Sequence, residues 1–142
     1  MNDGLLVGVD MASVSEVERS LARRGERYLK SLFTDREIES CEGTPATAAR
    51  ALAARLAAKD AVAKLLCPEG GRPERRAIEI VGGERGWCSV RLAGMADRIA
   101  AERQLDDIAV NLCEGETLAV SVAVARKAPE ESLARGALAT AP

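Results

Sequence analysis

The chain has 142 residues, 47% apolar and 30% charged, with 20 Lys and Arg against 22 Asp and Glu for a net charge of −2. That length suits one domain with a single core, and the balanced charge, with one Trp, one Tyr and one Phe, offers neither the basic footprint nor the stacking platform of a nucleic-acid binder. The absence of histidine excludes Ser-His-Asp and Cys-His catalysis and histidine-ligated zinc.

Leu5 to Met11 is a nearly continuous apolar run, which predicts a strand buried on both faces and carrying Asp10 near its end. Val14, Val17, Leu21, Tyr28 and Leu29 then recur at helical spacing, with Ser13 or Ser15 available as the N-cap. The other face of that helix carries Glu16, Glu18, Arg19, Arg23 and Arg24, either a solvated face or a partner-docking one. Thr34 is placed to cap a short helix over 35–41, with Glu37 at the capping-box position. Thr44 followed by Pro45 starts the longest helix, predicted from Pro45 to Leu66 and so about 33 Å long. The loop Cys67-Pro68-Glu69-Gly70-Gly71-Arg72-Pro73 must end it.

Ile78 to Val81 and Trp87 to Leu92 read as a hairpin around a glycine-rich turn. Met95, Ala96, Ile99 and Ala100 mark an amphipathic helix to about Gln104, and Ile108 to Leu112 reads as a strand. Leu118 to Ala125 alternates strictly, with Leu118, Val120, Val122 and Val124 on one face and Ala119, Ser121, Ala123 and Ala125 on the other. This predicts a strand covered on both sides, the small-residue side allowing close approach by a helix or a subunit. The architecture is predicted as α+β, antiparallel strands wrapped around one long central helix, with a domain over 1–127 and a tail over 128–142. Cys41, Cys67, Cys88 and Cys113 form no C-x-x-C pair; counting leaves disulfides open, and without a leader pattern reduced thiols are expected. No apolar run reaches the roughly 18–20 residues that cross a bilayer, so no membrane partner and a cytoplasmic location are expected.

Within the long helix, Arg55, Lys59, Asp60 and Lys64 are set into an alanine- and leucine-rich background. Asp60 and Lys64 are four apart and share a face, which alone describes an ordinary surface ion pair. Together with Asp10 at the end of an apolar strand, they instead suggest a site for a metal ion and phosphate.

Three stretches carry a resemblance. Gly8-Val9-Asp10, Leu32-Phe33-Thr34-Asp35-Arg36-Glu37 and the run Ala54-Arg55-Leu56-Ala57-Ala58-Lys59-Asp60-Ala61-Val62-Ala63-Lys64 resemble, in order and spacing, the holo-acyl-carrier-protein synthases. In these small stand-alone phosphopantetheinyl transferases the pattern runs G-x-D, L-T-x-x-E and A-x-R-F-A-x-K-E-A-x-x-K, and the resemblance covers roughly residues 4–126, about one domain. It implies transfer of 4′-phosphopantetheine from coenzyme A to a serine of an apo acyl carrier protein, dependent on Mg²⁺. It also implies a homotrimer with sites between subunits, which the small-residue face of the last strand would accommodate. Asp10 and Asp60 are then the expected metal carboxylates, Asp60 and Lys64 the expected catalytic residues of the helix, and Lys64, Arg55 and Lys59 the coenzyme-binding cations. Glu114 is expected to act as base or relay for the serine proton.

The departures from that pattern are specific. Asp60 stands where the family has Glu, shortening the arm by one methylene. Glu69 lies in the loop after the helix, Gly86-Trp87-Cys88 replaces a Gly-Lys-Pro turn, and Cys113-Glu114 replaces a Ser-His pair. Glu16 stands where the family presents an Arg to its acidic partner, a charge reversal at the expected docking helix, with Arg19, Arg23 and Arg24 further along. An alternative reading follows: a repurposed relative that binds a carrier protein or a pantetheine-linked acyl chain and uses Cys113 and Glu114 for different chemistry or none. The plain reading of those two is a core thiol and a solvated turn residue.

Overall fold

The computed structural model describes residues 4–82 and 86–129. Its first strand, β1 (Leu5–Ser13), alternates in burial along its length. Leu6 and Ala12 pack into the core, whereas Leu5, Val7, Val9 and Met11 stand exposed on the outer face. The expected two-sided burial therefore fails: successive side chains leave opposite faces of the sheet, and only one face meets the rest of the chain.

Ser13 caps α1 (Val14–Arg24) as expected, its Oγ accepting the Glu16 N–H at 3.3 Å. The single helix predicted through Leu29 is two helices. Gly25 takes φ 51° and ψ −127°, a left-handed value that favours glycine, and the chain restarts as α2 (Glu26–Leu32), which buries Tyr28. In α3 (Asp35–Ser40) the capping box is complete, with Thr34 Oγ1 accepting the Glu37 N–H and the Glu37 side chain accepting the Thr34 N–H.

Helix α4 (Pro45–Leu66) starts at the Thr44 cap with Pro45 in its first turn. Its alanines let neighbours approach on nearly every side: Ala49, Ala53, Ala54, Ala57, Ala58 and Ala61 are all buried. A helix apolar around most of its girth belongs inside. After the loop and a single 3-10 turn at Arg75–Ala77 come β2 (Ile78–Val81), β3 (Trp87–Leu92), α5 (Gly94–Glu102), β4 (Leu105–Asn111) and β5 (Leu118–Lys127). Strand β4 begins earlier than its apolar pattern suggests. A register shift between Asp106 and Ala109, with Asp107 at φ 51°, interrupts the alternation that would reveal it.

All pairings are antiparallel, and the sheet order is β1-β5-β4-β3-β2. Strands at both edges, β1 and β2, touch α4, as do β4 and β5; the sheet curls around the helix, the α+β architecture expected. In β5 the small residues Ala119, Ser121, Ala123 and Ala125 are buried, and the strand packs on α4. The helix, not a second subunit, fills the small-residue face; the open face is the one carrying Leu118 and Val120. Apart from Ala128 and Pro129, the expected tail lies outside the described residues, as does the turn at 83–85. No helix among the described residues is long and apolar enough to cross a membrane.

Candidate active site

Strand β1 lies very close to α4. A Cβ built on Gly8 would fall 2.3 Å from the Ala61 carbonyl oxygen, so only glycine permits this approach. Leu6 packs in the cluster with Leu65 and Leu66, and Ala12 in the one with Ala49 and Ala53; β1 thus runs opposite to α4. Asp10 comes alongside the middle turns of the helix, and Lys64 reaches back to it, as helical side chains lean toward the N-terminus. Its Nζ sits 3.2 Å from Asp10 Oδ2 and donates to the Val9 carbonyl at 3.0 Å. Asp10 Oδ1 accepts the Met11 N–H at 2.8 Å.

Asp60, one turn before Lys64, is held by a residue that the sequence did not single out. Arg75 Nε donates to Asp60 Oδ1 at 2.8 Å and its Nη2 to Oδ2 at 3.2 Å, a two-pronged guanidinium–carboxylate pair. The hydrogen bond that Arg75 donates to Asp60 raises the Arg75 pKa, burial opposes it, and the charges of Asp60 and Asp10 raise it further. Asp10 is therefore within electrostatic reach of the same guanidinium. Two acids and two bases share one patch between β1, α4 and the 3-10 turn.

The expected ligand role of Lys59 is corrected. Its side chain is fully buried, 2.6 Å from the equally buried Glu37 Oε2. It donates to the carbonyls of Arg75 at 3.0 Å and Ile78 at 2.8 Å, and the Phe33 ring lies 5.3 Å from its Nζ. An ammonium has three protons, and all three are spent inside the core. Burial pushes its pKa below the ordinary lysine range and the Glu37 carboxylate pulls it back. Glu37 also accepts the Ile80 N–H at 2.9 Å. Two residues of the resembling stretches thus hold each other, and with them α3, α4 and the start of β2.

Arg55 points elsewhere. Its Nη1 donates to the Ala51 carbonyl at 3.4 Å, its Nε is buried without a hydrogen-bond partner among the described residues, and its charge is felt at Cys41. Burial raises the Cys41 thiol pKa, and Arg55 lowers it. All four cysteines are free. Cys113 is exposed rather than a core thiol, while Cys41 and Cys88 are buried. Cys113 bridges Val120, which pairs with Met11; with strands about 4.8 Å apart, the backbone before Glu114 passes about 10 Å from β1. Glu114 is exposed there and makes no hydrogen bond or ion pair among the described residues. On α1, Glu16, Arg19, Ser20, Arg23 and Arg24 line an open groove.

Among the described residues no three His, Cys, Asp or Glu side chains gather as a metal cluster. The donor set on offer is Asp10 and Asp60. Two hard carboxylates suit Mg²⁺, which takes one or two from protein and completes its shell with water and phosphate oxygens.

Residues 6–123 match the model of the 4′-phosphopantetheinyl transferase superfamily. A holo-[acyl-carrier-protein] synthase of Desulforudis audaxviator is 36% identical over 126 residues, covering 89% of this chain and 95% of that protein. A solved holo-ACP-synthase from Plasmodium yoelii superposes with TM-score 0.73 at 22% identity, over 89% of this chain and 99% of that one. The Chronobacterium ammoniagenes ACPS–coenzyme A complex does so with TM-score 0.70 at 21% identity, over 89% and 99%; these two show the fold. The chain belongs to the holo-acyl-carrier-protein synthase family, and it is an enzyme of the phosphopantetheinyl transferase class.

Proposed function

We propose that this chain transfers 4′-phosphopantetheine from coenzyme A to a serine hydroxyl of an apo acyl carrier protein, at the patch formed by Asp10, Asp60 and Lys64. The observation that carries this reading is the delivery of Asp10 from β1 onto Lys64 of α4, beside the Asp60–Arg75 pair. The serine oxygen bonds to phosphorus, the bond from that phosphorus to the 3′,5′-ADP oxygen breaks, and the hydroxyl proton must find a base. Asp10 and Asp60 are the residues that would hold Mg²⁺, which would supply neutralisation of the diphosphate. Lys64, steadied by Asp10 and the Val9 carbonyl, presents a point charge to the phosphate. Glu114, level with Met11 across β5, is the candidate to take the proton, directly or through water. The groove on α1, with three arginines against Glu16, fits a negatively charged carrier surface.

The outer face of β1 and β5 supports assembly, and a homotrimer with sites between subunits accommodates coenzyme A and carrier protein together. Residues 1–127 act as the transferase unit, with 128–142 as a tail, and the protein works in the cytoplasm. The test is intact mass spectrometry of apo carrier proteins incubated with the chain, coenzyme A and Mg²⁺. A phosphopantetheine mass gain is expected with the wild type and not with Asp10→Asn. No gain, where an authentic transferase modifies the same samples, would refute the reading.

A further inference from the structure

Both oxygens of Asp60 are already engaged, and the group that engages them is part of the chain. Arg75 holds Oδ1 and Oδ2 through separate nitrogens. Its backbone is pinned, because the buried Lys59 Nζ donates to the Arg75 carbonyl and the 3-10 turn begins at this residue. Its side chain is 40% exposed while that of Asp60 is 17% exposed, so the guanidinium can swing into water without disturbing the backbone that carries it. The four charges of the patch, Asp10, Asp60, Lys64 and Arg75, cancel. A divalent cation needs at least one oxygen of Asp60 and gains from an uncompensated negative charge; Arg75 denies it both.

We propose that Arg75 is a built-in competitor for Asp60, a positioning residue that a divalent cation must displace and that sets the metal concentration at which the site fills. The proposal rests on the reading that Asp10 and Asp60 form the metal site of the transferase. Its signature is the sign of the effect. An arginine that merely supported the site's shape would, on removal, weaken metal binding. A competitor, on removal, strengthens it.

The experiment is a titration of the full chain with Mn²⁺ alone, following free Mn²⁺ by electron paramagnetic resonance, for wild type, Arg75→Gln, Arg75→Lys and Asp10→Asn. Arg75→Gln is expected to bind Mn²⁺ on the order of tenfold more tightly, the scale set by losing a charge-assisted pair. Arg75→Lys, which keeps the charge and loses the fork, should fall between it and wild type, and it carries the test if Arg75→Gln does not fold. Asp10→Asn should lose binding. Equal or weaker binding by the Arg75 variants, with binding still dependent on Asp10, overturns the competitor role and leaves the site reading standing. Absence of Mn²⁺ binding in every protein, or binding indifferent to Asp10→Asn, overturns the site reading and the proposal with it.

Discussion

Lys59 and Glu37, both fully buried, depend on each other and on four backbone partners: the Thr34 and Ile80 amides for the acid, the Arg75 and Ile78 carbonyls for the base. Removing one charge strands the other where water cannot reach it. Glu37→Gln is therefore expected to cost about 3–5 kcal/mol, read from urea unfolding at neutral pH. The double variant Glu37→Gln with Lys59→Met should lose clearly less than the sum of the two single losses, because coupled groups are not additive. Additive losses would mean that the pair is not the unit it looks like. The sequence shows Glu37 as a capping-box residue, and it is one; what it cannot show is that the same carboxylate reaches Ile80 and Lys59, forty-three and twenty-two positions onward. Arg75 was illegible for a related reason. Its partner lies across a loop of two prolines and two glycines whose path no periodicity reveals.

Among the elements, the junction between β1 and α4 fixes where Asp10 stands. Gly8→Ala would press a methyl carbon toward the Ala61 carbonyl, where the built position lies 2.3 Å away. Overpacking of that kind costs about 1–3 kcal/mol, and the displaced strand should carry Asp10 away from Lys64. The expected outcome is a lowered unfolding midpoint together with a larger loss of transfer activity than the stability loss explains. An active, equally stable Gly8→Ala would show that the two elements have room to part. Elements with strong local signals were readable in advance: the Thr44-Pro45 start of α4 and the Thr34 cap of α3 sit where their chemistry demands. The break at Gly25 and the early start of β4 were not, because a helix-compatible pattern runs across the first and a bulge scrambles the second. The approach of Asp10 to Lys64 is foreshadowed by the acid in an apolar run and the basic helix face, although Asp10 sits within β1 rather than at its end, because pairing with β5 continues to Ser13. Which cation sits on which acid depends on tertiary approach.

For the molecule as a whole, the outer face of β1 and β5 is the unfinished surface. Leu5, Val7, Val9 and Met11 are 66%, 56%, 50% and 62% exposed, and Leu118 and Val120 flank them at 48% and 37%. The register sets Val9 opposite Val122 and Met11 opposite Val120, so the residues form one continuous apolar face, larger in kind than the scattered apolar side chains of ordinary surfaces. Val9→Glu is expected to convert an oligomer into a monomer in size-exclusion chromatography with light scattering, with the secondary structure kept. A wild type that runs as a monomer, or a variant that assembles unchanged, would show that this face is covered in another way.

Among the described residues β1 lies at an edge of the sheet with β5 as its one hydrogen-bonded neighbour, a strand that the ribosome makes more than a hundred residues later, at Leu118–Lys127. Contacts so distant along the chain form late and slowly. Until β5 has been made, the growing polypeptide carries Asp10 on a strand with no neighbour, its apolar outer face and its unpaired amides bare to other nascent chains. Synthesis interrupted before β5 would therefore yield an inert and sticky fragment, and Leu5–Ser13, made well before its partner strand, would be among the last segments to find its place.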